Sequence, residues 1–328
     1  MLIRLLTGLA VCAAPLGVVM AASPAVKTGV VHFRHAAAGE ANVPELFRLP
    51  EHRFTFQQEP IETAARQIDI FAVTLPSPVE TPHESNNTVH CEYFRPVGDG
   101  PYPAVVVLHI LGGDFDLSRV FCRTLAHHGV AALFVKMPYY GPRRQEGVEA
   151  RMVMPDPHQT AAGMRQAVLD IRRATAWLAS RDEVDSDQLG IFGISLGGIT
   201  GALAAAVEPR LKNVCLMLAG GDIGRVTWSN PEMGRVRERW LAAGGTRESF
   251  VDVLRPIDPV THVRPRADRR VLMLNARHDE IIPRECTESL MRAFGQPEIV
   301  WFDCGHYSAI RFLPDGLSRV TRFFANSP

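Results

Sequence analysis

The sequence predicts an α/β fold: a doubly wound, mostly parallel sheet with helices on both faces. The first observation is a series of short apolar runs without polar alternation, which is typical of strands that are covered on both faces. These runs occupy residues 104–108, 130–135, 189–192, 214–218, 271–274 and 299–302. The second observation is the helical segments around them, at residues 117–127, 158–179, 196–207, 283–294 and 317–324. Strands and helices that alternate at this spacing are joined by right-handed crossovers, which place helices on both sides of the sheet.

Residues 1–22 have the pattern of a cleaved export signal. Arg4 precedes an apolar run over residues 5–20, and small residues up to Ala22 follow. An uncleaved membrane anchor is the alternative, but glycines and a proline interrupt the run, which is short for a span of ~20 apolar residues. A lipid anchor on Cys12 is a further alternative, although the residue before it is not small. We therefore expect an exported protein, periplasmic or secreted, without stable membrane insertion after cleavage.

An N-terminal extension, residues 23–65, precedes a core domain that we place at residues 66–328. The extension is mixed in polarity and shows no sustained period, so its form is not predicted. Two stretches with strand character, residues 68–75 and 88–94, flank a segment rich in proline and asparagine. This arrangement predicts an antiparallel hairpin that leads into the parallel sheet.

Residues 221–256 break the alternation because they contain no strand-like run. Helices are expected there at residues 231–242 and 248–253. In a doubly wound sheet, the ligand crevice lies beyond the carboxyl ends of the strands. Because the insertion follows the run at 214–218, it is predicted to cover that crevice as a cap.

Charge and composition exclude several classes of partner. Lys and Arg together number 35, as do Asp and Glu, so no net field attracts a nucleic acid or an anionic membrane. No spacing is typical of a zinc site, and no glycine pattern is typical of a phosphate or dinucleotide site, so neither a metal nor a cofactor is expected. Five of the six cysteines lie beyond the signal, and this odd number is not a disulfide framework. Cys122 and Cys215 lie in apolar segments and are expected to be buried.

The candidate nucleophile is Ser195, in the sequence Gly193-Ile194-Ser195-Leu196-Gly197. The serine falls between the strand at 189–192 and the helix at 196–207, as in a nucleophile elbow. Because such a turn is tight, the residues two before and two after the serine must be small. The alternative is a glycine turn with an idle serine.

A serine hydroxyl needs a base, and the base needs an acid that fixes its tautomer. In this type of fold, the acid and then the histidine follow the serine in loops after later strands. His306 follows the strand at 299–302, and Asp279 follows the strand at 271–274. Asp222 and Glu280 remain alternatives for the acid.

The developing oxyanion needs preorganised N–H donors. One is expected from Leu196, at the positive end of its helix. The second is expected from Leu111, with Ile110 as the alternative, in the glycine-containing loop after the strand at 104–108. Tyr139 and Tyr140 leave the strand at 130–135 towards the crevice and are candidates to line the substrate pocket. Solvated positions are expected for Arg143, Arg144, Arg151, Arg264, Arg266, Arg269 and Arg270.

The chain resembles the α/β-hydrolase superfamily, and within it dienelactone-hydrolase-like and acetyl-xylan-esterase-like proteins. The resemblance covers roughly residues 88–326 and rests on three ordered groups. They are Val107, Leu108 and His109 with Gly112 and Gly113; residues 193–198; and Asp279, Pro283, Gly305 and His306. It implies ester hydrolysis through an acyl-enzyme without a cofactor. Dienelactone hydrolases proper carry cysteine where this chain has Ser195, and the extension and the cap also depart from the family pattern.

These expectations describe an exported serine hydrolase that cleaves carboxylic esters of small molecules or carbohydrates. A serine peptidase of the same superfamily is one alternative. A catalytically silent binding protein of the cell envelope is the other.

Overall fold

The computed structural model describes residues 26–35, 39–65, 67–113 and 115–326, so the predicted signal at 1–22 lies outside the described residues. The strands are β1 (Lys27–Phe33), β2 (His52–Ala65), β3 (Ile68–Pro76), β4 (Thr88–Pro96), β5 (Tyr102–Leu108), β6 (Ala131–Val135), β7 (Val184–Ile194), β8 (Asn213–Met217), β9 (Arg270–Ala276) and β10 (Glu298–Phe302). The helices are α1 (Phe115–His127), α2 (Pro157–Ala179), α3 (Leu196–Val207), α4 (Ile223–Ser229), α5 (Gly234–Ala242), α6 (Arg247–Leu254), α7 (Pro259–His262), α8 (Arg284–Ala293) and α9 (Leu313–Ala325). None of these described helices is both long enough and apolar enough to cross a membrane.

The described strands form one sheet in the order β1-β2-β3-β4-β6-β5-β7-β8-β9-β10. The strands β5 to β10 pair in parallel, whereas β1 to β4 pair in antiparallel. The two parts of the sheet meet where β4 pairs with β6 in antiparallel. The predicted fold class and the predicted antiparallel hairpin of β3 and β4 are confirmed. Leu108 at the end of β5 pairs with Gly193 of β7 and with Val135 of β6. This register brings the loops after the three strands to the same edge of the sheet.

The alternation within β5 explains why its sequence is apolar throughout. Val106 and Leu108 belong to the hydrophobic core on the face that α2, α3 and α8 cover. Val105 and Val107 belong to the core on the opposite face, which α1 and α9 cover. Since both faces of the strand are buried, each successive side chain is removed from water, and no polar position is left.

The N-terminal extension continues the sheet rather than forming a separate layer. β2 pairs with β3, and β1 lies outside β2. A buried guanidinium joins the extension to the core: Arg172 of α2 donates from Nη2 to both carboxylate oxygens of Glu40 at 2.7 Å and from Nη1 to the carbonyl oxygen of Phe47 at 2.6 Å. Its Nε lies 3.2 Å from Glu208.

The segment between β8 and β9 is helical, as its sequence pattern indicated. It contains the predicted helices α5 and α6, and also α4 and α7, which were not predicted. The start of α4 is capped by a residue far away in sequence, because the carboxylate of Asp258 accepts the N–H groups of Asp222 and Ile223. The side chain of Phe250 in α6 packs against Trp228 of α4, and α6 also contacts α2. The N-cap residue of α4 is Asp222, but its side chain makes no capping hydrogen bond, and the helix has only 7 residues, which is too short for a sustained apolar period.

The expectation that Arg143 is solvated is wrong. Its side chain is fully buried. Nη2 lies 2.8 Å from a carboxylate oxygen of Asp170 in α2 and donates to the carbonyl oxygen of Asn86 at 2.7 Å. Nη1 donates to the carbonyl oxygen of Lys136. The ion pair satisfies the buried charge and fixes the segment that follows β6.

All five cysteines of the described residues are buried and unbridged; they are Cys91, Cys122, Cys215, Cys286 and Cys304. Cys122 and Cys215 are indeed small core residues, with no measurable exposure. Burial raises the pKa of the Cys91 and Cys286 thiols to about 12, so both stay protonated at neutral pH.

Candidate active site

Ser195 occupies a strained turn between β7 and α3. Its backbone has φ 54° and ψ −116°, a combination that residues with side chains rarely adopt. The turn is held by main-chain hydrogen bonds: the N–H of Ser195 donates to the carbonyl oxygen of Met217 at 2.9 Å, and its own carbonyl accepts the N–H of Ile199. The strain is therefore maintained by the adjacent strand β8 and by the first turn of α3.

Two glycines allow the backbones to approach closely at this turn. A Cβ atom at Gly193 would lie 2.1 Å from the carbonyl oxygen of Gly197. A Cβ atom at Gly197 would lie 2.6 Å from the carbonyl oxygen of His109, at the end of β5. Any side chain at either position would force the strand and the helix apart. The spacing of small residues around the serine thus follows from steric exclusion.

The structure brings Ser195, His306 and Asp279 together. Oγ of Ser195 lies 3.0 Å from Nε2 of His306. Nδ1 of His306 lies 2.8 Å from one carboxylate oxygen of Asp279 and 3.0 Å from the other. The side chains of the histidine and the aspartate are 9% and 3% exposed. The carboxylate accepts from Nδ1–H, which leaves Nε2 free to accept the serine proton.

Backbone donors fix the orientation of the Asp279 carboxylate. Its Oδ1 accepts the N–H of Ile281 at 2.9 Å and the N–H of Ile282 at 2.7 Å. These two donors leave the remaining lone pairs of the carboxylate directed at the imidazole. The loop after β9 therefore orients the acid before any substrate is present.

The two alternative acids have other contacts. Glu280 accepts the main-chain N–H of His306 at 2.8 Å, so it holds the backbone of the histidine loop rather than the ring. Desolvation acts to raise the pKa of Glu280, but main-chain N–H donors, among them those of His306 and Tyr307, lower it below its usual value. Asp222 is the N-cap residue of α4, and its main-chain N–H donates to Asp258. Of the three acids, it is Asp279 whose carboxylate contacts Nδ1.

His109 fixes the loop after β5. The main-chain N–H of Met137 donates to Nε2 of His109 at 3.1 Å, so the ring proton is on Nδ1. Nδ1 donates it to the carbonyl oxygen of Ile110 at 2.8 Å. Burial lowers the pKa of His109 to about 4, which keeps the ring neutral. Because C=O and N–H point in opposite directions across a trans peptide, the N–H of Leu111 is directed away from this ring.

A cavity of about 270 Å³ adjoins Ser195 and His306. Ile110 and Leu111 of the loop after β5 line it. Most of the remaining wall is apolar and comes from α1, from the end of β8 and from the segment after His306. Sequence reasoning missed these residues because apolar side chains on helices have the pattern of ordinary core positions.

The expectation that Tyr139 and Tyr140 line the substrate pocket is not met by this cavity, which neither residue lines. The N–H of Tyr139 donates to the side chain of Asn86, and its ring packs against His83. The ring of Tyr140 packs edge-on against His109, with 4.5 Å between centroids. Tyr139 thus contacts the segment before β4, and Tyr140 contacts the histidine that follows β5. Within the described ranges, no group of three or more His, Cys, Asp or Glu side chains is placed to bind a metal ion.

Two family models match the chain. The Dienelactone hydrolase family matches residues 90–222, and the Prolyl oligopeptidase family matches residues 164–302. Both matched segments include β7, the strained turn and α3. Ser195 lies in the overlap, whereas His306 lies beyond both segments.

The chain is also similar in sequence to curated proteins. An uncharacterized protein of Mycobacterium tuberculosis is 30% identical over 187 residues, which are 54% of this chain and 42% of that protein. The chain therefore spans less than half the length of this relative. Esterase YjfP of Escherichia coli is 20% identical over 244 residues, which are 70% of this chain and 91% of the esterase.

Solved structures share the fold. An acetyl xylan esterase from Paenibacillus sp. R4 superposes with a TM-score of 0.61 at 22% identity, covering 79% of this chain and 88% of the esterase. A putative dienelactone hydrolase from Klebsiella pneumoniae superposes with a TM-score of 0.54 at 21% identity, covering 79% of this chain and 99% of that protein. The sheet order, the helices on both faces and these likenesses agree. The chain has the α/β-hydrolase fold, and overlapping segments of it are similar to the Dienelactone hydrolase and Prolyl oligopeptidase families.

Proposed function

We propose that this chain is an exported serine esterase that cleaves carboxylic esters through an acyl-enzyme. The observation that carries the proposal is the 3.0 Å contact between Oγ of Ser195 and Nε2 of His306, with Asp279 on the other ring nitrogen. A nucleophile, its base and the group that orients the base are thereby in hydrogen-bond contact. The likeness to an esterase of Escherichia coli supports an ester substrate.

In the first half-reaction, Oγ of Ser195 attacks the ester carbonyl carbon while its proton moves to Nε2 of His306. The imidazolium that forms is stabilised by the carboxylate of Asp279. Collapse of the tetrahedral intermediate breaks the bond to the alcohol oxygen, which takes the proton from Nε2. In the second half-reaction, His306 removes a proton from water, which attacks the acyl carbon. The bond to the serine oxygen then breaks, Oγ takes the proton back from Nε2, and the carboxylic acid is released.

Two N–H groups are assigned to the oxyanion. Leu196 is the first residue of α3, so the helix itself offers no acceptor for its N–H. Leu111 lines the same cavity as Ser195, and the hydrogen bond between His109 and the Ile110 carbonyl turns its N–H away from the buried ring. This orientation favours Leu111 over Ile110 as the second donor. Each such donor commonly contributes ~3 kcal/mol to the transition state.

Export is the part of the proposal that rests on sequence alone. The apolar run at residues 5–20 and the small residues up to Ala22 support cleavage after this segment. Sequencing the N-terminus of the protein recovered from the periplasm or the medium tests it. A mature chain that starts near Ser23 is expected, whereas a chain that begins at Met1 in the membrane fraction would contradict cleavage.

A peptidase is the second candidate, because the Prolyl oligopeptidase family matches residues 164–302. A panel that pairs acyl nitrophenyl esters with aminoacyl and peptidyl nitroanilides separates the two activities. An esterase turns over the esters and leaves the amides nearly untouched. Faster turnover of a peptidyl amide than of every ester would replace the esterase by the peptidase.

The direct test of the proposal uses a fluorophosphonate probe and nitrophenyl acetate. The mature protein and the control variant Ser318→Ala, at an exposed serine of α9, are expected to be labelled and to hydrolyse the ester. Ser195→Ala is expected to lose both properties. If the unaltered protein is folded but neither labelled nor active, it is a binding protein and the proposed function is wrong.

A further inference from the structure

We infer that the cavity beside Ser195 binds an uncharged apolar group of the substrate, so that the enzyme prefers esters of medium chain length to acetates. The inference rests on the proposed function. It concerns the selectivity of the site, whereas the contact between serine and histidine concerns the reaction. Three observations carry it: the residues that form the walls, their charge and the size of the cavity.

The walls come from two helical segments on one face of the sheet. Leu117 and Phe121 of α1 form one side, and Ile310 and Leu313 form the other. Met217, at the end of β8, lies between them and borders the serine. All five side chains are apolar. Phe121 and Met217 belong to the core between α1 and α9, and Leu117 and Leu313 pack against it. Ile310 lines the cavity. A hydrocarbon group that enters here exchanges water for apolar surface on both sides.

The charge of the lining excludes an ionised group. Among the described residues that line the cavity, none is Asp, Glu, Lys or Arg. A carboxylate or ammonium group in this space would lose its hydration without gaining an opposite charge. Arg143, in the segment after β6, is paired with Asp170 and does not line the cavity. The site therefore selects neutral substituents.

The cavity size sets an upper limit to the chain. An apolar cavity of about 150 Å³ holds one benzene ring. By the same measure, about 270 Å³ admits a chain of roughly ten carbons. Each methylene that becomes buried is expected to raise kcat/KM by about fourfold until the space is filled.

The cap contributes little to this selectivity. Among the described lining residues, Asn230 is the one that lies between α4 and α5, whereas α6 contributes none. The apolar preference is thus built into α1 and the start of α9. Substitutions in these two segments are expected to change it, and substitutions on the cap surface are not.

The experiment measures kcat/KM for nitrophenyl acetate, butyrate, hexanoate, octanoate, decanoate and dodecanoate. A second series of alkyl acetates, with the chain on the alcohol, decides which side of the ester occupies the cavity. Values are expected to rise through one of the two series as far as about the decanoate or its alcohol counterpart and then fall. A monosuccinate ester is expected to be a much poorer substrate than the butyrate.

Two variants test the location. Leu117→Trp places a larger ring at the partly exposed start of α1. It is expected to lower kcat/KM for the eight-carbon member of the rising series by about tenfold, with the shortest member changed less than about twofold. Leu241→Trp is the matched control, because Leu241 is an exposed leucine of the cap that does not line the cavity. It is expected to leave the chain-length profile unchanged. Fluorophosphonate labelling shows that each variant has kept a folded site.

The outcomes separate the inference from the proposed function. Acetate turnover with both series flat or falling overturns the apolar selectivity and leaves the esterase intact. The same holds if Leu117→Trp, still labelled, slows every ester equally. Failure of labelling and of all ester turnover in the unaltered protein overturns the proposed function itself.

Discussion

The side chain of His109 donates to the carbonyl oxygen of the next residue, Ile110, over 2.8 Å. The contact couples a buried, neutral ring to a peptide unit that borders Ser195. Because the N–H of that peptide belongs to Leu111, the histidine acts as a positioning residue for the proposed oxyanion donor.

His109→Phe keeps the ring packing against Tyr140 and Phe115 but removes both hydrogen bonds of the imidazole. We expect kcat to fall by about 10- to 100-fold with a smaller change in KM, since the donor acts mainly in the transition state. His109→Gln retains one donor and one acceptor and is expected to recover part of the rate. Steady-state kinetics of the two variants check this, and an unchanged kcat in His109→Phe would remove the histidine from the mechanism.

The buried histidines predict loss of stability in acid. Burial lowers the pKa of both His109 and His90 from 6.5 to about 4. Between these values the unfolded chain binds more protons than the folded one, so the free energy of unfolding falls as pH decreases from about 6.5 towards 4. For His109 the full effect is on the order of 3 kcal/mol.

Asp258 acts in the opposite direction. Desolvation raises its pKa from 3.8 to about 6, so this group favours the folded state as pH falls across that range. Urea unfolding at a series of pH values, with His109→Gln beside the unaltered protein, isolates the histidine. The variant is expected to show a shallower decline below pH 6.5, and parallel curves would contradict the assignment.

Asp279→Asn is expected to lower kcat by about 10⁴-fold, because an amide no longer fixes the Nδ1–H tautomer or stabilises the imidazolium. Folding should be retained, since the amide oxygen still accepts from Ile281 and Ile282. Circular dichroism and steady-state kinetics together check this expectation. A loss smaller than tenfold would mean that another acid orients His306.

Substitutions of Glu280 can separate its hydrogen bond to the backbone of His306 from the effect of its negative charge. Glu280→Gln keeps an acceptor for the N–H of His306 but removes a negative charge near the imidazolium. We expect kcat/KM near its optimum to change by less than about threefold, with the acidic limb of the pH–rate profile moved to lower pH. Glu280→Ala also removes the acceptor and is expected to lower kcat. An identical pH profile for Glu280→Gln would contradict the electrostatic part.

Arg172→Ala is expected to destabilise the protein by about 3 kcal/mol or more, because it leaves the carboxylate of Glu40 buried without its partner. Arg48→Ala is the matched control. It breaks an exposed pair with Glu45 and should cost less than about 1 kcal/mol. Urea midpoints of the two variants provide the comparison. Equal midpoints would show that the N-terminal strands do not depend on the buried ion pair.

The elements that could be predicted are those whose own residues carry a clear local sequence pattern. β5 could be identified because burial on both faces leaves its sequence uniformly apolar, and α3 because its small residues begin directly after Ser195. β1 was missed because it is an edge strand with only Val31 and Phe33 buried. Its stability comes from pairing with β2 and from contacts to α2, which local periodicity does not record.

The candidate site divides in the same way. Glycines around Ser195, and the order of Asp279 and His306 after later strands, are features of the chain that can be read locally. The burial of Arg143 depends on Asp170, a partner 27 positions away, and reversed the expectation of a solvated side chain. The cavity walls depend on how α1 and α9 meet across the sheet. Such relations arise from three-dimensional packing and carry no local signature.

The close approach of Gly193, Gly197 and the carbonyl of His109 has a wider meaning for how this scaffold changes its chemistry. The main-chain atoms of β7, of α3 and of the residue after β5 determine the position of the reactive group. Contacts of the side chain at position 195 are not needed for this. The same support would present a thiol, a hydroxyl or a methyl group at one point in space. Replacement of the nucleophile therefore changes only the side chain at position 195. Replacement of a neighbouring glycine would instead shift the backbone of the whole turn between β7 and α3.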